Sequence, residues 1–358
     1  MTDKTINVLV ADDSKVARML LVHLLESDPQ IKVLGAVDCG LAALEFVQQT
    51  KTDVLLMDIH MPNLDGFEAT RRIMEIEPLP IVICTATTNP HEVATTFRMM
   101  EAGAVACVEK PVAREHADFE QLVTTLLQTV KLMSEVKVVR RWPKSRNASI
   151  RRTSGGNKSP EGKIQIVAIG ASTGGPPVLQ AVLAGLPKDF SAPVLIVQHI
   201  AHGFLPGLVE WLNQTTGWQI HVASHGIEPR PGHAYLAPDD FHLGVSSAGR
   251  ILLAREAAEN GLRPAVSYLF RSLSDVYGPN AIGVLLTGMG KDGAAELKLM
   301  RDRGASTIAQ DRETSVVHGM PGEAIALGAA EHVLPADKIS DGIITIVKRR
   351  HIAGNMGS

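Results

Sequence analysis

The chain has 358 residues, a length that suits two domains and a linker. It is 45% hydrophobic and 20% charged, and its net charge of -3 gives no general attraction to nucleic acid or to a membrane surface. No apolar run has the length of a membrane span, and the first residues do not predict a signal peptide. The 3 cysteines lack C-x-x-C spacing, so they indicate neither zinc nor a disulfide framework. We therefore expect a cytoplasmic protein without direct membrane insertion.

Five short apolar runs, with helical patterns between them, occupy the first third of the chain. Strands that alternate with helices predict a parallel sheet covered by helices on both faces. The expected fold class of this part is therefore doubly wound α/β. The predicted strands are Ile6–Ala11, Lys32–Val37, Val54–Met57, Ile81–Cys84 and Ala104–Val108.

Charged residues lie at the ends of three of these runs. Asp12 and Asp13 follow the first run, Asp58 ends the third, and Lys110 follows the fifth. The carboxyl ends of parallel strands meet at one edge of a sheet, where ligands usually bind. Three carboxylates at one place need a hard cation, and Mg²⁺ prefers oxygen ligands. The alternative is that the aspartates are unrelated helix caps, which explains one of them better than the set.

This constellation resembles the response-regulator receiver domain over about residues 5–130, and the resemblance implies a flavodoxin-like doubly wound sheet. The pairs Met61-Pro62 and Asp65-Gly66 also match that family. Cys107 stands where most members carry Phe or Tyr, so the aromatic half of the family's usual switch is absent.

The receiver resemblance also implies roles for individual residues. Asp58 would accept a phosphoryl group from a histidine kinase. Asp12, Asp13 and Asp58 would bind the Mg²⁺ that this transfer requires. Thr85 matches the switch hydroxyl, and Lys110 matches the lysine that contacts the phosphoryl group.

A basic segment separates the first third from the rest of the chain. Residues 131–163 hold ten Lys or Arg and two Glu, with Ser, Gly and Pro between them. This composition predicts a flexible, solvated linker. Residues 132–139 are compatible with an extension of the preceding helix, and a basic stretch around Trp142 leaves open binding to acidic surfaces or nucleic acid. The predicted domains are a receiver at 1–131, a linker at 132–162 and a catalytic domain at 163–350.

The segment Ile164–Pro177 predicts a strand, a tight turn and a helix. Its apolar run stops at Gly170, Ser172 follows, and two glycines precede a pattern with helical spacing. Glycines allow the sharp bend, and the N-terminus of the next helix offers free N–H groups. A hydroxyl here is a nucleophile or a phosphate contact, with a helix N-cap as the alternative.

Two further apolar runs also end in chemically active residues. Val194–Val197 is followed by His199, and Ala281–Leu286 is followed by a glycine-rich loop with Asp292. If these strands share a sheet with the one before Ser172, a hydroxyl, an imidazole and a carboxylate meet in one crevice. That set is suited to acyl transfer. The order Ser, His, Asp differs from that of the α/β-hydrolases, so the Gly-x-Ser-x-Gly match does not predict their fold.

Spacing alone leaves other candidates for the base and its partner. A dinucleotide site at residues 170–175 is a weaker alternative, because Ser172 replaces the second glycine of that fingerprint. The alternative residues are His202, His221, His225, His233, His242, His318, Asp239, Asp240 and Asp311.

Residues 164 to about 347 resemble the catalytic domain of the chemotaxis protein-glutamate methylesterases, which implies a mostly parallel, doubly wound α/β domain. The resemblance implies a serine hydrolase that removes methyl groups from receptor glutamates, and often deamidates glutamines, without a cofactor. The matching stretches are Gly-Ala-Ser-Thr-Gly-Gly-Pro at 170–176, Val-Gln-His at 197–199, Leu-Thr-Gly-Met-Gly-Lys-Asp-Gly-Ala at 286–294 and Gly-Met-Pro-Gly-Glu-Ala at 319–324.

Within this resemblance the family's triad matches Ser172, His199 and Asp292. Its oxyanion-stabilising region matches Thr173 and the backbone around Met289. One difference lies at residues 263–267, Arg-Pro-Ala-Val-Ser, where many members have Arg-Pro-Ser-Val-Asp.

We therefore expect a phosphorylation-regulated methylesterase that acts on methylated chemoreceptors and gives adaptation in a chemosensory two-component pathway. The resemblance further implies that the unmodified receiver inhibits the catalytic domain, and the small Cys107 side chain predicts shallow activation. The alternative is a response regulator whose second domain only binds, as in a DNA-binding or scaffold protein. The net charge and the lack of a recognition helix argue against nucleic acid as a partner.

Overall fold

The computed structural model describes residues 5–86, 90–111, 119–136 and 163–356. The chain forms two compact units, divided between Ser145 and Arg146. Most of the predicted linker, with Trp142, lies outside the described residues, and the predicted domain boundaries stay predictions. None of the described helices is long and apolar enough to cross a membrane.

The first unit is a five-stranded parallel sheet in the order β2-β1-β3-β4-β5. This doubly wound α/β arrangement confirms the fold expected from the sequence. The strands are β1 (Ile6–Ala11), β2 (Ile31–Val37), β3 (Val54–Met57), β4 (Ile81–Thr85) and β5 (Ala106–Glu109). The helices are α1 (Lys15–Leu25), α2 (Gly40–Gln49), α3 (Gly66–Ile76), α4 (Pro90–Ala102) and α5 (Phe119–Met133).

Local signals set the helix ends in this unit. The Ser14 hydroxyl accepts the Ala17 N–H and starts α1, and the Asp65 carboxylate accepts the Glu68 N–H at 2.8 Å and starts α3. Helix α5 continues to the buried Met133. The extension considered for residues 132–139 is present at 132–133 and wrong at 134–136, where the chain turns. Residues 137–139 lie outside the described residues.

The second unit is built on a seven-stranded parallel sheet in the order β14-β13-β12-β6-β7-β9-β8, and the strands β10 and β11 form a separate antiparallel pair. The strands are β6 (Ile166–Ala171), β7 (Val194–Gln198), β8 (Gln219–Val222), β9 (His233–Leu236), β10 (His242–Val245), β11 (Ile251–Ala254), β12 (Ala281–Leu285), β13 (Ser306–Gln310) and β14 (His332–Leu334). The helices are α6 (Gly175–Gly185), α7 (Leu205–Thr216), α8 (Val266–Tyr277), α9 (Ala294–Asp302), α10 (Met320–Ala326) and α11 (Ile339–Met356).

Strand β6 lies at the centre of this sheet, between β7 and β12. The chain runs from β6 to β7 on one side and later returns to β12 on the other, which makes the carboxyl edge of β6 a topological switch point. Ala171 is level with Gln198, and Gly170 is level with Leu285. The loops after these three strands therefore leave the sheet at the same height, where open α/β sheets bind ligands.

Helix α8 is fitted closely against the central strand. Its first residue, Val266, is buried in a cluster with residues of β6 and β12, including Ala168 and Leu285. A Cβ on Gly170 would lie 2.3 Å from Cγ1 of Val266. Glycine at this strand position therefore lets the start of α8 approach the sheet.

We expect Gly170→Ala to lower the free energy of unfolding of the second unit by about 1–3 kcal/mol, because the added methyl overpacks the contact with Val266. Urea unfolding followed by the fluorescence of the buried Trp211 and Trp218, in a Trp142→Phe background, measures this. Adding Val266→Ala removes the clash, so the double variant should lose less than the sum of the two single losses. Strict additivity would contradict this explanation.

Candidate active site

In the first unit, three carboxylates meet at the carboxyl edge of the sheet. Ala11 and Met57 are level in the paired strands β1 and β3, so Asp12 and Asp58 emerge side by side. Carboxylate oxygens of Asp12, Asp13 and Asp58 lie within 4.8 Å of one another. Asp12 and Asp58 are buried, whereas Asp13 is exposed.

Lys110 neutralises part of this charge. Its Nζ lies 2.6 Å from Oδ2 of Asp12 and 3.2 Å from Oδ1 of Asp58. Burial raises the pKa of Asp58, Lys110 opposes that rise, and Asp12 adds to it. Burial lowers the pKa of Lys110, but the two aspartates outweigh it, so the net pKa is raised. The lysine is therefore charged and leaves the cluster with excess negative charge.

The cluster fits a divalent cation. Asp12, Asp13 and Asp58 supply hard oxygen donors from two adjacent loops, the set that Mg²⁺ prefers. Thr85 ends β4, and its carbonyl accepts the Lys110 N–H at 2.8 Å, which fixes these two positions relative to each other. Cys107 is level with Ile83 and half-buried.

In the second unit, Ser172 lies in the turn between β6 and α6. Its N–H donates to the Thr287 carbonyl at 3.0 Å, and its carbonyl accepts the Gly175 N–H at 2.8 Å. Gly174 has φ of 75°, a conformation that favours glycine. The sharp strand–turn–helix connection inferred from the glycines is present.

Gln198 was not singled out in the sequence, yet it ties two loops together. Its Nε2 donates to the carbonyls of Ser172 and His199, each at 2.8 Å. The side chain is only 5% exposed, and a Cβ on Gly175 would lie 2.2 Å from its Oε1. The available signal was a polar residue at the end of an otherwise apolar strand, Val-Leu-Ile-Val-Gln.

His199 and Asp292 face each other. Nε2 of His199 lies 3.0 Å from Oδ2 of Asp292, although the ring N–H is not aligned for a linear hydrogen bond. The His199 N–H donates to the Ala171 carbonyl at 2.9 Å, which holds the histidine beside the Ser172 turn. The sheet thus brings together the three loops that carry Ser172, His199 and Asp292.

The Asp292 carboxylate lies at the N-terminus of α8 and is 3% exposed. It accepts the N–H groups of Val266 at 2.7 Å and Ser267 at 3.1 Å, and the Ser267 hydroxyl at 2.5 Å. Burial raises the pKa of Asp292, but the contact with His199 and the bonds from Ser267 outweigh burial, so the pKa is lowered. The residue is therefore an ionised carboxylate in a buried place.

The two residues predicted to lie near the oxyanion flank the serine. Thr173 is half-buried in the turn, and its carbonyl lies 2.9 Å from the Thr287 hydroxyl. Met289 is 48% exposed and follows Gly288, where a Cβ would lie 2.7 Å from Cβ of Ser172. The backbone before Met289 thus passes beside the serine. Thr287, which the sequence did not single out as a site residue, joins these segments.

The other histidines and aspartates weighed from the sequence have partners of their own. Among the described residues, none of them hydrogen-bonds to the side chain of Ser172 or Asp292. The contacts are His202 with Asp240, His221 with His233, His225 with the Leu253 N–H, His242 with the Ala257 carbonyl, His318 with Ser315, Asp239 with the Gly203 N–H and Asp311 with Thr314.

Comparison with known proteins covers both units. Residues 167–343 match the CheB methylesterase family, and residues 8–120 match the response regulator receiver domain. The crystal structure of the Thermotoga maritima CheB methylesterase catalytic domain matches with a TM-score of 0.50 and 41% identity, covering 51% of this chain and 98% of that one.

Two curated relatives extend over nearly the whole chain, and each is named protein-glutamate methylesterase/protein-glutamine glutaminase. The one from Syntrophus aciditrophicus is 52% identical over 346 residues, which are 95% of this chain and 98% of that protein. The one from Nitrosospira multiformis is 48% identical over 350 residues, 96% of this chain and 98% of that protein. The chain therefore belongs to the CheB family of receiver-linked methylesterases.

Proposed function

We propose that this protein is a phosphorylation-regulated serine hydrolase that cleaves glutamate methyl esters and deamidates glutamines on chemoreceptors, and so gives adaptation in a chemosensory pathway. The observation that carries the proposal is the buried, ionised Asp292 facing His199 beside the Ser172 turn. The names of the relatives support both activities.

The proposed reaction is acyl transfer through Ser172. Its Oγ attacks the carbonyl carbon of the glutamate ester while His199 takes the hydroxyl proton. With Nε2 of His199 facing Asp292, Nδ1 is the ring nitrogen left to take that proton. Collapse of the tetrahedral intermediate returns the proton to the leaving methoxide, which departs as methanol. Water then hydrolyses the acyl-enzyme by the same route and releases glutamate, and a glutamine substrate releases ammonia instead.

Negative charge on the substrate oxygen needs donors that are already in position. The proposed donors are backbone N–H groups at Thr173 and around Met289, the segments that flank Ser172. The N-terminus of α6 adds the positive end of its dipole to this region. Asp292 stabilises the imidazolium that forms on His199.

Ser172→Ala should lower kcat for methanol release from methylated receptors by roughly 10³–10⁶, since it removes a nucleophile that acts as a unit with its base. His199→Ala should be similarly severe. Asp292→Asn should also lower kcat, by the same factor or less, because the asparagine favours the wrong imidazole tautomer. Ser247→Ala, an exposed hairpin serine, is the control. More than a tenth of wild-type turnover in Ser172→Ala would refute the assignment. A second domain that only binds would release no methanol in any variant.

In the first unit we assign Asp58 as the phosphoryl acceptor. Its carboxylate would attack the phosphorus of the donor, a kinase phosphohistidine or a small acyl phosphate, and the donor's leaving group departs. Lys110 lies beside the carboxylate and balances charge on the phosphoryl oxygens. Mg²⁺ held by Asp12, Asp13 and Asp58 would neutralise the charge between donor and acceptor.

Phosphorylation should depend on Mg²⁺ and be lost in Asp58→Asn, which removes the nucleophile. Asp13→Ala should raise the Mg²⁺ concentration that gives half-maximal labelling, because one oxygen ligand is gone. Incorporation of ³²P from labelled acetyl phosphate measures both. Asp53→Asn, at the opposite end of β3, is the control. Wild-type labelling of Asp58→Asn would exclude Asp58 as the acceptor.

The receiver is proposed to inhibit the catalytic domain until it is phosphorylated. A domain tethered to its partner has a high effective concentration near it, so even a weak inhibitory contact would be sufficient. Phosphorylation shifts such an equilibrium only if the contact differs in affinity between the two states. Cys107 gives less leverage than an aromatic ring, so activation is expected to be shallow.

A fragment that begins near Lys158 should release methanol faster than the unphosphorylated full-length protein, because the inhibitory contact is removed. Initial rates at equal enzyme concentration, with and without acetyl phosphate, measure this. Full-length Asp58→Asn should stay at the unphosphorylated rate. Equal rates for the fragment and the unphosphorylated full-length protein would rule out inhibition by the receiver.

A further inference from the structure

The hydroxyl of Ser267 makes two hydrogen bonds in the second unit. Ser267 is the second residue of α8 and is 3% exposed. Its Oγ lies 2.5 Å from Oδ1 of Asp292 and 3.1 Å from the Gly293 N–H. The Gly293 group is itself a donor, so the single hydroxyl proton of Ser267 goes to the carboxylate. Its direction is therefore fixed by its neighbours.

The two oxygens of Asp292 have different partners. Oδ1 accepts both the N–H and the hydroxyl of Ser267. Oδ2 accepts the Val266 N–H at 2.7 Å and faces Nε2 of His199 at 3.0 Å. Two donors on Oδ1 resist rotation of the carboxylate about Cβ–Cγ. Oδ2 is thereby kept facing the imidazole.

We propose that Ser267 is a positioning residue for hydrolysis, whose hydroxyl holds the Asp292 carboxylate directed at His199. The inference rests on the proposed function, in which His199 is the base. Ser267 acts through Asp292 and does not touch the reacting atoms.

This role is separable from the support of helix α8. The N-cap residue, Ala265, makes no side-chain hydrogen bond to the helix. Asp292 caps α8 instead, because its carboxylate accepts the N–H groups of Val266 and Ser267. Those bonds come from the backbone and persist when the Ser267 hydroxyl is removed. Loss of the hydroxyl therefore changes the electrostatics of the carboxylate more than the start of the helix.

The expected sign of the pH effect follows from the active form, which needs ionised Asp292 and neutral His199. Removing a donor from the carboxylate makes the coupled pair hold protons to higher pH. Among the described residues, His199 is the titratable side chain in contact with Asp292, and the adjacent Lys291 is exposed. The other titratable or charged groups on α8, α9 and β10 contact neither oxygen of Asp292. Their partners are Glu256 for Tyr268, Glu259 and Glu296 for Arg271, Arg303 for Asp275, the Gly249 carbonyl for Tyr277, Asp302 for Lys298, the Gly328 and Ala330 carbonyls for Arg301, and the Ala257 carbonyl and Ala265 N–H for His242.

The test measures kcat/KM for methanol release against pH in the full-length protein. Ser267→Ala should lower kcat/KM on the order of tenfold at pH 7 and move the acid limb up by roughly one pH unit. Ser267→Thr keeps a hydroxyl and should restore the wild-type limb. Ser274→Ala is the matched control, because Ser274 lies on the same helix, is 2% exposed and has no hydrogen-bond partner among the described residues.

An NMR titration of the His199 ring, assigned by its loss in His199→Ala, tests the same shift without substrate. The titration separates the two proposals. A wild type that releases no methanol would refute the proposed methylesterase function, and the ring titration would still decide the role of Ser267. A His199 titration midpoint at higher pH in Ser267→Ala, together with an unchanged midpoint in Ser274→Ala, supports the proposal. Identical titration in wild type and Ser267→Ala overturns it. If Ser267→Ala does not fold, Ser267→Cys, with a similar volume and a weak donor, takes its place.

Discussion

The second unit depends on one buried charge. A carboxylate can be removed from water only when donors replace its hydration. Asp292 receives two backbone N–H groups and one hydroxyl, and its Oδ2 lies 3.0 Å from Nε2 of the His199 imidazole. The same contacts begin helix α8, which packs against the central strand and against α9. The chemistry of the site and the docking of a core helix are therefore two consequences of a single interaction.

In the first unit, by contrast, the negative charge of the buried carboxylates is only partly balanced. Asp12 and Asp58 are buried beside each other, and Lys110 balances only part of their charge. Burial and mutual repulsion favour the protonated form of Asp58, whereas Asp292 is held ionised by donors. A pair of carboxylates whose negative charge is only partly balanced is suited to binding a cation. A single carboxylate whose charge is stabilised by hydrogen-bond donors is suited to orienting a base.

Apolar runs separated by helical patterns predicted the parallel sheet of the first unit, because such patterns depend on local spacing. In the second unit they indicated three of the strands, and the family resemblance implied the mostly parallel sheet. It also located the loops that carry Asp58, Ser172 and His199, since each directly follows or ends such a run. Gln198 and Thr287 were not identified as site residues, because their roles come from hydrogen bonds between segments far apart in the chain. The end of α5 at Met133 was also missed. Met133 is the last helical residue and is buried, but the basic composition of the residues that follow does not show where burial stops.

Gln198 has a mechanical consequence. One amide nitrogen holds the backbone carbonyls of Ser172 and His199, so the two loops that carry them are joined by a strut. Gly175 leaves the strut no free space, since an added carbon would overlap the amide oxygen. A force that a bound protein segment applies to one loop is therefore transmitted to the other. The backbone of the Ser172 turn and the backbone of the His199 loop are therefore held at one spacing by a single buried side chain.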